Sequence, residues 1–141
     1  MSQTYVSKIL EAIAEAIDAP GKPAGLVVTT SRQQPSAAKK LIAVFPLQDK
    51  PDEERTPRTR AAVRRFLTVA VVCRCAGTDI DNEELRAWAT TRLMADITLG
   101  GIAASVAEAI TEWQGELDSQ SSYSMAVMQF VVEYARPINE L

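Results

Sequence analysis

Between residues 123 and 136 polar and apolar positions alternate, with Ala126, Met128, Phe130, Val132 and Tyr134 on one side and Val127, Gln129, Val131 and Glu133 on the other. A strand turns successive side chains to opposite faces, so the segment predicts half-buried sheet and not an active-site loop. Near the start of the chain the period changes. Val6, Ile9, Leu10, Ile13 and Ile17 recur at three- and four-residue steps, while Lys8, Glu11, Glu15 and Asp18 take the other side, the signature of an amphipathic helix. Ser2 or Thr4 offers it a cap, and Ala19-Pro20-Gly21 stops it.

The intervening chain reads as strands and one further helix. A β-branched run covers residues 26–30, residues 31–38 are loop-like, and residues 40–47 form a strand whose Pro46 requires an edge or terminal position. Residues 49–57 are charged, carry two prolines, and predict a mobile excursion. The strand over 63–75 places Leu67, Val69, Val71, Cys73 and Cys75 on one face and Phe66, Thr68, Ala70, Val72 and Arg74 on the other. Apolar residues on both faces mark it as central, hairpinned with the strand before it. A helix over 81–97 is expected to use Asp81 as cap, Glu84 as capping-box partner and an Ile80–Leu85 staple. Leu85, Trp88, Ala89, Leu93 and Ile97 line its apolar side, and Gly100 ends it in a left-handed conformation. Residues 105–116 form the remaining strand. The order predicts a single α+β domain over residues 1–141, a mostly antiparallel sheet with two helices packed on one face.

Composition narrows the chemistry. The 141 residues are 47% apolar and 23% charged, which excludes wholesale disorder and suffices for a core without staples. The N-terminal segment is interrupted by Lys8, Glu11 and Glu15, and no apolar run approaches the ~20 residues of a membrane span, so a soluble intracellular chain is expected. There is no histidine, which removes the commonest proton shuttle at neutral pH and the commonest metal ligand. Cys73 and Cys75, two apart on a strand, read as small core residues, with a redox pair as the alternative. Ser119, Ser121, Ser122 and Ser124 fall in a turn that suits hydroxyl side chains. Gly100-Gly101 lacks the Lys-Ser/Thr of a phosphate loop. These features predict no enzyme, no cofactor and no metal.

Charge is distributed unevenly. Residues 1–78 hold 12 Lys+Arg against 7 Asp+Glu, and residues 79–141 hold 3 against 11, so a net charge of −3 conceals a dipolar chain. Arg55, Arg58, Arg60, Arg64 and Arg65 fall together with no acid among them. Glu108, Glu112 and Glu116 recur at every fourth residue and are expected on one solvated strand face. Three readings of the arginine run stand: plain surface, contact with the acidic side of a neighbouring copy, or nucleic-acid phosphate. The last lacks a binding motif, interleaved aromatics or a basic pI, the sequence value being about 5.0.

The 81–97 helix running into Asp96-Ile97-Thr98-Leu99-Gly100-Gly101, the strand with Thr111-Glu112-Trp113, the serine-rich turn and the closing Phe130-Val131-Val132-Glu133-Tyr134 together resemble tailed-bacteriophage tail terminator proteins. That group includes the minor tail protein U family and its prophage relatives. The N-terminal amphipathic helix and the hydrophilic hairpin tip at 49–57 fit the same plan. The resemblance implies a non-enzymatic, ring-forming virion assembly protein, typically a homo-hexamer. Such a ring caps the tail tube, stops polymerisation of the major tail tube protein and offers the surface that meets the head-tail connector protein. It implies a place in the virion tail, reached from the host cytoplasm during assembly. Carried over by topology, residues 49–65 would face the tube or the lumen. A head-closure or neck connector protein is the nearest alternative, and a DNA-binding accessory protein using residues 55–65 a more distant one.

Overall fold

The computed structural model describes residues 3–32, 38–52, 62–114, 123–137, 139 and 141. Helix α1 spans Tyr5–Ile17, strand β1 Leu26–Thr29, β2 Lys40–Pro51 and β3 Ala62–Ala76. Helix α2 spans Asp79–Ala95, followed by β4 Ser105–Gln114 and β5 Tyr123–Pro137. The five strands form one sheet in the order β1-β2-β3-β5-β4. Among the described residues only β1–β2 is parallel and the other three pairings are antiparallel, so the architecture is α+β with β3 central.

Both helices cover the same face. Ile9, Ile13 and Ile17 of α1 and Leu85, Ala89 and Leu93 of α2 join Ile42, Val44, Leu67, Val69, Val71, Cys73, Met128, Phe130, Val132 and Tyr134 in one buried core. The alternation of β5 thus has its predicted outcome: the even-numbered residues 126–134 are buried and their odd-numbered neighbours are half-buried on the opposite face. On that opposite face Ala43, Ala70 and Val72 form a smaller apolar cluster flanked by Phe45, Met125 and Val127.

The two helices are also locked by hydrogen bonds. An α-helix leaves its last carbonyls without intrahelical donors. Here α2 supplies two: the Trp88 indole Nε1 donates to the Ile17 carbonyl at 2.7 Å and Arg92 Nε to the Ala16 carbonyl at 2.9 Å. Arg92 therefore places a cation at the negative end of α1, which has no basic residue in its own last turn. Thr4 caps the other end, accepting from the Ser7 amide at 3.1 Å.

Several local expectations are corrected. The cap of α2 is Thr78, not Asp81; Asp81 is the third helical residue and closes the capping box by accepting from the Thr78 amide at 2.9 Å. Glu84 has no part in it, and Ile80 is 83% exposed and not stapled to Leu85. The helix ends at Ala95, because Asp96 adopts extended dihedrals and folds its carboxylate onto Thr98 and the Gly100 amide. Ile97 consequently leaves the apolar stripe and is 43% exposed, while Leu99, Gly100 and Gly101 all take positive φ in the turns beyond the helix. Strand β2 runs four residues past Leu47, so Asp49, Lys50 and Pro51 are strand rather than excursion. Pro46 is tolerated because β1 covers β2 only as far as Ala43, leaving an edge where the missing N–H costs no ladder bond to β1. Residues 53–60, which hold the rest of that predicted excursion, lie outside the described residues.

Candidate functional site

Two regions hold the described members of the predicted interface. The first lies where β2, β3 and β5 run beside one another, toward Pro51 of β2 and Ala62 of β3. Arg65 Nε donates to Asp49 Oδ2 at 3.1 Å, and its Nη2 to the Asp49 backbone carbonyl at 3.3 Å. Tyr134 donates its phenol to the same carboxylate, 3.0 Å from Oδ1 and 2.9 Å from Oδ2. Burial, the Asp49 hydrogen bond and the Asp49 charge, in that order, push the phenol above its ordinary pKa. The ring of Tyr5 stacks on Tyr134 with centroids 6.4 Å apart, and its amide donates to the Leu141 carbonyl at 2.6 Å. Beside this cluster Arg64 Nη1 donates to Glu133 Oε1 at 2.9 Å.

Arg64 and Arg65 are therefore already engaged by carboxylates of their own chain. Arg55, Arg58 and Arg60 lie outside the described residues, as does Glu116.

The second region is β4, an edge strand. Its register slips between Glu108 and Thr111, where three steps of β4 oppose two of β5. Residues directly opposite one another share a sheet face. Glu108 opposes Phe130 and so lies toward the helices, whereas Glu112 opposes Val127 and lies on the open face. The expected common acidic face is thus broken by a one-residue bulge. Both glutamates are exposed, together with Ile110 at 50% and Trp113 at 49%. The Arg86 guanidinium lies over the Trp113 ring at 4.7 Å and bonds Glu83 at 2.6 Å and Thr111 at 3.4 Å. This half-exposed tryptophan is held in place from α2.

Other predicted candidates fall in the core. Cys73 is buried and free, and burial pushes its thiol up to about 12; the Cys75 thiol is raised as well, again mainly by burial. Both groups stay protonated and poorly nucleophilic at neutral pH. Ser124, expected in a turn, instead lies buried in β5, where it donates to Asp79 Oδ1 at 2.5 Å and accepts from Asn82 Nδ2 at 3.2 Å. Asn82 also donates to the Cys73 carbonyl at 2.9 Å. That fully buried asparagine pins α2 to β3 and β5; the predicted helix contained it, three residues before Leu85 on the buried side, but a polar residue type gives no sign in the sequence that it faces the sheet. Ser119, Ser121 and Ser122 lie outside the described residues.

Two shallow grooves flank the helices. One of about 410 Å³ is bounded by Pro23, Trp88 and Thr91, the other of about 350 Å³ by Glu15, Arg92 and Asp96. Among the described residues no three His, Cys, Asp or Glu side chains gather as metal ligands, and no helix is long and apolar enough to cross a membrane. No protein-family model matches the chain, and comparison with curated proteins found no significant match.

Proposed function

We propose that this protein acts by assembly: a tail terminator-like subunit that forms a ring, caps a phage tail tube and provides the surface for head-tail joining. The observation that carries this reading is the arrangement of the sheet. Among the described residues both helices occupy one face, the other face carries the small apolar cluster of Ala43, Ala70 and Val72 bordered by half-buried Phe45, Met125 and Val127, and the edge strand β4 exposes Ile110 and Trp113. Such a layout suits a subunit whose work is done between copies. The element order, helix, strands, helix, strands, matches the plan that the sequence resemblance implies.

Mechanism in this reading is interfacial. Repeated heterologous contacts close a ring when the rotation between subunits completes a circle. The ring then occupies the terminal surface of the tube and presents no new surface for the next tube subunit. The internal pairing of Arg64 and Arg65 favours this over phosphate binding, since a guanidinium already bonded to a carboxylate must surrender that bond to meet DNA. The places proposed for the protein are the virion tail and, before completion, the host cytoplasm.

The deciding experiment adds the purified full chain to polymerising tail tube subunits from the same genome and measures tube length by electron microscopy. Shortened tubes bearing a terminal ring support the reading; unchanged length with no bound protein overturns it.

A further inference from the structure

The chain segments that hold the sheet's two edges differ in charge: β4 carries Glu108 and Glu112, whereas β1 has no charged residue of its own and is flanked by basic ones, of which Lys22 pairs with Asp18 and Lys40 with Glu84. No Asp or Glu occurs between Ala19 and Gln48, the stretch that holds β1 and the start of β2, while Lys22, Arg32, Lys39 and Lys40 do. No Lys or Arg occurs between Leu93 and Ala135, the stretch that holds β4. An edge strand presents unpaired backbone donors and acceptors to any strand that fits. From this juxtaposition we infer that β4 of one copy pairs with β1 of the next, extending the sheet from subunit to subunit; the inference rests on the assembly reading above and names its contact.

Strand direction supports the match. β1 runs with β2, β3 against it, β5 with it and β4 against it. Two copies side by side in the same orientation therefore bring β4 and the neighbour's β1 together antiparallel, the pairing with the stronger ladder. Beyond its bulge β4 offers a regular stretch from Thr111 to Gln114, and β1 is itself four residues long. Face matching then restricts the register. Thr111 and Trp113 lie on the helix side with Leu26 and Val28, and Glu112 lies on the open side with Val27 and Thr29, so Glu112 stands opposite Val27 or Thr29. In either register Trp113, steadied by Arg86, packs beside Leu26 or Val28 of the neighbour. An aromatic held by an arginine is the kind of residue that anchors interfaces. Two β4 strands placed against each other would instead bring two edges together whose only charged side chains are Glu108 and Glu112, and like charges across strands are destabilising.

The test uses full-length Val27→Cys, Thr29→Cys and Glu112→Cys chains. Across an antiparallel pair Cα atoms stand ~4.5–5.5 Å apart, within disulfide reach. Glu112→Cys is mixed with each β1 variant under mild oxidation and resolved on a non-reducing gel, with Glu15→Cys on α1 giving the background of random collision. We expect a mixed adduct at least tenfold above that background, diminished by raised salt. Predominant Glu112→Cys homodimer overturns the pairing in favour of β4 against β4. A ring-sized species by light scattering with no mixed adduct overturns the edge contact but leaves the assembly reading standing; a monomer without adduct overturns both.

Discussion

The phenol of Tyr134 and the carboxylate of Asp49 meet at 2.9 Å across 85 residues of sequence, joining the end of β2 to β5. With Arg65 on the same carboxylate, three strands are clamped at the root of the β2–β3 hairpin. Removing the hydroxyl alone is the cleanest probe. Tyr134→Phe should cost about 1.5–3 kcal/mol in urea unfolding, the usual loss for a hydrogen bond to a charged acceptor. A loss below about 0.3 kcal/mol would show that the clamp contributes nothing.

The raised phenol and thiols fix the alkaline limb of stability. A group whose folded pKa lies above its unfolded value stabilises fully below the unfolded pKa and loses that contribution as pH rises through the folded one. For Cys73 that window runs from its ordinary value near 9.0 up to about 12, and Tyr134 shifts in the same direction from about 10. Unfolding midpoints should fall above pH 9, less steeply in Cys73→Ala. At neutral pH, thiol labelling of Cys73 should wait for unfolding; rapid labelling of the native chain at Cys73 would contradict its burial.

At the acid end the relevant groups are Asp81 and Asp96. Hydrogen bonds from the Thr78 amide and hydroxyl hold Asp81 below the usual carboxylate range, and those from the Thr98 hydroxyl and the Gly100 and Thr98 amides do the same for Asp96. Lowered folded pKa values stabilise above the unfolded value near 3.9 and are lost as pH falls through the folded values. The corrected cap makes a sharper forecast. Thr78→Ala should lower stability by about 1 kcal/mol, whereas Glu84→Gln should change it by less than about 0.5 kcal/mol. Reversal of that order would restore Asp81 and Glu84 as the cap.

The alternation of β5 supplies a contrast between adjacent residues. Phe130 is wholly buried beneath the helices, and Phe130→Ala should cost about 3–5 kcal/mol. Gln129, one step away on the open face, should tolerate alanine within about 0.5 kcal/mol. Equal costs would mean that the open face is as tightly packed as the core.

Long periodic elements were legible in the sequence, and short-range geometry was not. Burial dictates which face of β5, β3 and α1 turns inward, and burial leaves a repeat that can be read directly from residue types. From the sequence only Asp81 is expected as the cap of α2; Thr78, three residues earlier, is an equally competent capper, and backbone dihedrals are what place the cap there. The β4 bulge has no marker such as glycine, so Glu108 and Glu112 looked co-facial until the register with β5 separated them. Arg64 and Arg65 were visible as charge, but their partners Glu133 and Asp49 lie 69 and 16 residues away and become neighbours only through strand pairing.

If this chain works as an assembled ring, sedimentation velocity of the full chain over a wide concentration range will reveal it. The expected result is a single closed oligomer, a hexamer by the resemblance, that dissociates as salt rises and is weakened by Glu112→Lys. A monomer at every concentration and salt would contradict it.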